Sequence, residues 1–221
     1  MAVAYLVLIF DYMQLSERIY VSLCSLFTAL VVVSNVVYQK FVYLPIFSIY
    51  TFELSVGAIF YPVTFLITNL ISEFYGRENA RFCVRVSVTI NMLVLLLISF
   101  MGQLQATSWS KIDNSTFDLI FSAYSFSLVG SIIASYIAQM IDIKLYLLIR
   151  RLTNNKYIFV RNLSSAVSLL VDTSIVIIFV TLIGAVPYQQ MLPLIFNSYL
   201  FKLSFTIVTT PIFYYIVKYL Q

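Results

Sequence analysis

Long apolar runs, broken by short polar connections, dominate this chain. A helix that crosses a bilayer needs about 20 mostly apolar residues. Six segments have that length: roughly 19–38, 54–73, 82–103, 117–149, 161–186 and 191–219. They are too continuous for the alternating strands of a membrane barrel. The pattern therefore predicts an all-α membrane protein, a bundle of six transmembrane helices over residues 19–221. The fourth and sixth runs exceed what a bilayer needs and must tilt, overshoot or break. Pro62 and Pro211 fall within the second and sixth runs and predict kinks there. Residues 1–18, MAVAYLVLIFDYMQLSER, read as a short interfacial lead-in. They lack the basic start and small-residue cleavage site of a signal peptide. No soluble domain is expected, because the longest connections are only about 12–16 residues.

Composition supports the same class. The chain is 62% hydrophobic and 10% charged, with a mean hydropathy of +0.97, against about 25% charge in a soluble domain. The net charge of +4 is concentrated between particular runs. Arg18 precedes the first, and Arg77, Arg81 and Arg85 lie around the second connection. Arg150, Arg151, Lys156 and Arg161 lie around the fourth, and Lys218 is near the end. Lys40 and Lys111 are the basic residues of the other connections, and the turn at Pro187 has none. Basic residues favour the cytoplasmic side, so both termini are expected to be cytoplasmic. These residues are expected to meet lipid headgroups rather than nucleic acid.

The chain has no histidine, so any proton-linked step must use carboxylates, Lys or Tyr. Cys24 and Cys83 lie in or beside apolar runs and read as packing rather than as a disulfide or metal site. There is no metal-ligand spacing, nucleophile elbow or phosphate loop. An enzyme, a resident cofactor and a self-sufficient nucleotide-driven pump are therefore not expected. A homodimer is possible at this size, although no GxxxG seam is present.

The remaining polar groups carry the chemistry. An ionised or amide side chain in hydrocarbon needs a partner or a task. Asp172 lies eleven residues after Arg161, about 16 Å along a helix. Lys202 approaches the same depth from the other side, eleven residues after Met191, which makes the two a natural ion pair. Asp142 lies eight residues before Arg150, about 12 Å inward, and Gln139 shares its face. Asn69 and Glu73 share a face of the second run, where Glu73 and Arg77 are also spaced to pair. Asn35 sits near the outer end of the first run. Tyr61, Phe65, Tyr136 and Tyr146 are aromatic candidates for stacking on a flat ligand. These groups suggest a small-molecule cavity toward the middle and the cytoplasmic half. A structural clamp, an interfacial salt bridge and plain packing are the simpler readings of individual members.

Three blocks resemble the queuosine precursor transporter family, also called vitamin uptake transporters. They are PVTFLITNLISEFYGRENAR (62–81), ASYIAQMIDIKLYLLIRR (134–151) and VRNLSSAVSLLVDTSIVIIFVTLIG (160–184). Lys202 and Pro211 fit that family's last span, and Ser34, Asn35 and Lys40 its first. Asn69 is a departure, standing where many relatives carry Asp. The resemblance implies import of a nucleobase: 7-cyano-7-deazaguanine, 7-aminomethyl-7-deazaguanine or queuine. Asp172 or Asp142 would then accept the paired donors of the base edge. Gln139 or Asn69 would meet the ring carbonyl and pyrrole N–H. Tyr136 or Phe65 would stack on the base, and Lys202 would neutralise the empty site. The competing reading is the substrate-binding subunit of an energy-coupling-factor vitamin transporter, which would need ATPase partners.

Overall fold

The structure, a computed structural model, describes residues 14–46, 50–122, 125–153 and 157–220. Most of the expected lead-in and the centre of the 153–157 turn lie outside these residues. Six helices are long and apolar enough to cross a membrane. They are α1 (Leu15–Val37), α2 (Pro62–Phe74, continuing a single turn at Gly57–Phe60), α3 (Gly76–Met101), α4 (Ser125–Leu152), α5 (Tyr157–Leu182) and α6 (Met191–Leu220). The fold is the expected six-helix membrane bundle.

Local sequence explains several boundaries. At the start of α1, the Gln14 backbone amide donates to the Glu17 carboxylate at 3.2 Å, half of a capping box that satisfies an otherwise orphaned helix-end group. Pro62 lies within the second span, Gly57–Phe74, immediately after the helix is interrupted at Tyr61. It stands at the first position of α2, where a missing N–H is not needed. Gly76 alone turns the chain from α2 into α3, at φ 80°, a left-handed conformation that only glycine adopts freely. The connection expected over 74–81 is therefore a tight corner, and Arg77, Arg81 and Arg85 belong to α3. The fourth span begins later than expected, after a π-turn at Asp118–Ser122. α6 remains one helix through Pro211.

A β-hairpin fills what the hydropathy pattern suggests is a loop. Strand β1 (Phe41–Ile46) pairs antiparallel with β2 (Tyr50–Ser55), with Tyr43 opposite Glu53. Phe52 and Leu54 are buried, so β2 presents one apolar face to the bundle in the period-2 pattern of a half-buried strand. Phe52 meets Phe201 of α6 edge-on at 5.6 Å, and the Tyr50 hydroxyl donates to Asn197 at 2.8 Å.

α2 is the axis of the bundle. It packs against α1, α3, α4 and α6, and 61% of its span is buried, against 28–44% for the other five. Polar residues on α2 consequently face other helices. Burial runs opposite to that of a water-soluble domain. Leu96, Phe100 and Val208 are more than half exposed, whereas Asp142, Arg161, Gln139, Asp172 and Lys202 are buried. This is the distribution expected when lipid, rather than water, surrounds the molecule.

Candidate functional site

Helical spacing builds the site. Ser131, Ser135, Gln139 and Asp142 recur on one face of α4, and Arg161, Ser165, Ser168 and Asp172 on one face of α5. Lys202, Thr206, Thr209 and Thr210 do the same on α6, as do Tyr61, Thr64 and Thr68 across the start of α2. Residues three and four apart lie on one helix face, so each set forms a stripe. The stripes converge in the core as a polar seam.

At the hairpin end of the seam, Asn35 donates to Asn91 at 3.0 Å and accepts from Ser131 at 2.7 Å. This ties α1, α3 and α4 together. One turn inward, the Lys202 ammonium lies 2.9 Å from Asp172 Oδ2 and 3.0 Å from the Thr173 hydroxyl. It also sits 5.0 Å from the centre of the Tyr61 ring, within range of a cation–π attraction. The Tyr61 hydroxyl is 3.1 Å from the other Asp172 oxygen and 2.7 Å from Ser135 Oγ. A phenol has one proton and the carboxylate can only accept, so Tyr61 donates to Asp172 and accepts from Ser135. Both charges are buried, and every oxygen of Asp172 is engaged.

These groups form the floor of a small cavity of about 70 Å³, whose wall reaches Phe41 and Ser55 of the hairpin. Asn35, Ser131, Tyr61, Asp172, Lys202 and Ser198 supply its polar wall, and Phe41, Val176 and Ile177 part of its apolar wall. Gly57 lets the cavity wall close. A Cβ there would lie 2.3 Å from the Ser34 carbonyl oxygen.

Beyond that floor the seam continues in closed layers. Gln139 accepts from Thr68 at 2.9 Å and donates to Thr64 at 3.1 Å. Asn69 donates to Ser165 at 3.4 Å, and Asp142 accepts from Ser165 at 3.4 Å and from Ser168 at 2.8 Å. Arg161 donates to the Thr206 carbonyl at 3.0 Å, to Thr210 at 2.8 Å and to Thr209 at 2.7 Å. At the basic end, Glu73 pairs with Arg150 at 2.9 Å and accepts from Tyr146 at 2.9 Å.

The structure thus brings Asp172, Lys202 and Asn35 to one cavity. It places Gln139, Asn69, Asp142 and Glu73 outside that cavity's lining, in layers nearer the basic end. The cavity lies in the half nearer the hairpin, and hydroxyl–amide and ion-pair contacts fill the half nearer the basic end. Phe65 is buried edge-on to Tyr61 at 5.8 Å and supports that ring without reaching the cavity. Tyr136 is 36% exposed and lies one residue beyond Ser135, off the polar face, so it is not positioned to stack on a ligand there. Glu73 selects Arg150 of α4 rather than Arg77, because Gly76 turns the chain before a helical i, i+4 pair can form.

Arg161 differs most from the sequence reading, which treats it as a residue of a basic connection. It is the largest fully buried side chain of the described residues, on the second turn of α5. The 161, 165, 168, 172 spacing was the available signal. Ser135, Thr173 and Ser198 carried none, since serine and threonine are ordinary in membrane helices.

Residues 55–216 match the family model described as "putative vitamin uptake transporter". The chain belongs to that family. A relative from Bacillus subtilis (strain 168), named "Probable queuosine precursor transporter", is 28% identical over 165 residues, covering 72% of this chain and 70% of the relative. No solved structure matches. As a member of the vitamin uptake transporter family, the protein is a multi-pass membrane transporter, not an enzyme.

Proposed function

We propose that this transporter imports a 7-deazaguanine precursor of queuosine across a bacterial inner membrane, with Asp172 and Lys202 at the binding site. The carrying observation is a carboxylate, an ammonium and an aromatic ring meeting on the floor of one cavity. A guanine-like edge offers an N–H and an amino group side by side. Asp172 accepts both once Lys202 moves aside. The released ammonium is then free to donate to the ring carbonyl, and the Tyr61 ring provides a face for the base. Asn35, Ser131 and Ser198 are within the same cavity to meet the remaining polar atoms. The relative's name supports the substrate class.

The exchange of partners by Lys202 gives the site two states, as alternating access requires. With the basic end cytoplasmic, the cavity faces outward in this conformation. The Gln139, Asp142, Arg161 and Glu73 layers then form the closed inner gate, and both chain ends lie in the cytoplasm. The test is uptake of labelled base into a precursor-auxotrophic bacterium, with and without an uncoupler. Purified protein should also be stabilised by the transported base, because a ligand that binds only the folded state raises its stability. Uptake that is equal with and without expression of the protein overturns this reading. Co-purification of ATPase subunits would favour the energy-coupling-factor alternative.

A further inference from the structure

The two buried carboxylates on α4 and α5 are held differently. Asp172 has an ammonium at 2.9 Å. Asp142, fully buried, has only hydroxyl donors, Ser168 at 2.8 Å and Ser165 at 3.4 Å, both on Oδ1. Its Oδ2 has no partner. No cation among the described residues lies within ion-pair distance of it. An isolated carboxylate in a medium of low polarity is costly and is relieved by a proton or a counter-ion.

The surroundings indicate which relief operates here. From α2, Asn69 is a neighbour through the shared Ser165 hydroxyl, and its Oδ1 also lacks a donor. Glu73, one turn further along α2, is committed to Arg150 and Tyr146. From α1 and α3, Phe27, Val31, Cys83 and Val84 pack beside Ile143 as an apolar cluster that brings no charge. On α4 itself, Lys144 is exposed. From α5, the charged group is Arg161, whose guanidinium is spent on three α6 oxygens while its Nε stays unpartnered. The cluster therefore has surplus acceptors on one side and a cation turned away on the other. Ser168 has one hydroxyl proton and two acceptors at 2.8 Å, Asp142 Oδ1 and its own helix's Ser164 carbonyl. It can follow either charge state of Asp142 without moving.

We infer that Asp142 is a proton-binding site of the transport cycle, protonated in this conformation, and that Arg161 is the counter-ion that replaces the proton in the other one. Deprotonation sends the proton toward the basic end and leaves a carboxylate for which the Arg161 Nε is the free donor. Closing that pair draws Arg161 off α6, loosening the α5–α6 contact that shuts the inner half. Import is then driven by the proton gradient. This rests on the import of a deazaguanine proposed above.

Two measurements separate the ideas. In reconstituted vesicles with labelled 7-cyano-7-deazaguanine, one proton per molecule supports about tenfold accumulation per unit of pH difference. Asp142→Asn, which preserves size and an acceptor for Ser168, should lose that accumulation yet retain measurable exchange of base with no gradient. Loss of both, or accumulation by Asp142→Asn equal to wild type, overturns the inference. Accumulation that follows a sodium gradient alone also overturns it. Independently of any substrate, infrared spectra of the wild type should show a protonated-carboxyl band that vanishes in Asp142→Asn and persists in Asp172→Asn. A band unaffected by Asp142→Asn, or absent in the wild type, overturns it. Wild-type vesicles that take up no deazaguanine, with the band present, overturn the substrate instead.

Discussion

Lys202 and Asp172 meet at 2.9 Å from two adjacent helices, and the same ammonium lies over the Tyr61 ring. Removing either charge leaves the other buried, which typically costs about 3–5 kcal/mol. Lys202→Ala should destabilise the protein by about that amount. The double change Asp172→Asn with Lys202→Met should recover much of it, as read by thermal unfolding in detergent. Neither form should support uptake, although both should insert. Uptake at the wild-type rate by Asp172→Asn would remove that carboxylate from the binding site.

Tyr61 contributes a ring and a hydroxyl, and these separate experimentally. Tyr61→Phe keeps the ring and removes the hydrogen bond that positions Asp172, which should cost about 0.5–1.5 kcal/mol of stability and weaken binding modestly. Tyr61→Leu removes the cation–π contact as well and should weaken binding further. Tyr136→Leu, on the face turned away from the seam, should leave the Kd near wild type. Titration of purified protein against labelled base would order the three variants. Equal affinities for Tyr61→Phe and Tyr61→Leu would count against a stacking role.

Gly57 is required by close approach rather than by its backbone angles. Gly57→Ala places a methyl group 2.3 Å from the Ser34 carbonyl oxygen, so the end of α1 must move. Overpacking of this kind costs about 1–3 kcal/mol, and uptake should fall because Ser34 and Gly57 both line the cavity. A thermal scan paired with uptake measures both effects.

Glu73 and Arg150 join α2 to α4 at the basic end, with the Glu73 side chain fully buried and Arg150 27% exposed. A double-mutant cycle with Glu73→Gln and Arg150→Gln should return a coupling of about 0.5–3 kcal/mol. A coupling near zero would show that the pair does not hold the basic end together.

Arg161 is held by three oxygens of α6 in a fork that lysine cannot reproduce. Arg161→Lys should therefore destabilise the protein by about 1.5–3 kcal/mol, the worth of a hydrogen bond to a charged group. It should also speed amide exchange at the basic ends of α5 and α6. Unchanged exchange there would mean the guanidinium does not clamp the two helices.

Hydropathy and spacing along the chain are enough to give the class, the six spans and the Asp172–Lys202 pairing. Twenty apolar residues cross a bilayer whatever their neighbours, and two opposite charges at one depth have few other ways to be neutralised. Spacing along single helices also puts Asp142 with Gln139. How the polar groups divide came from packing in three dimensions. It sent Asp172, Lys202 and Asn35 to one cavity and left Asp142, Asn69 and Gln139 in hydroxyl-lined layers beyond its floor. It also buried Arg161 and paired Glu73 with Arg150. Those outcomes depend on which helix faces which, and on Gly76 turning α2 into α3 in a single residue. The hairpin at 41–55 was hidden for a related reason. β2 alternates Tyr50, Phe52 and Leu54 with Thr51, Glu53 and Ser55, but hydropathy averaged over a span's length erases that alternation, and β1 is apolar throughout and blends into the neighbouring runs. Depth in a membrane is a property of one segment, whereas partnership is a property of several packed together.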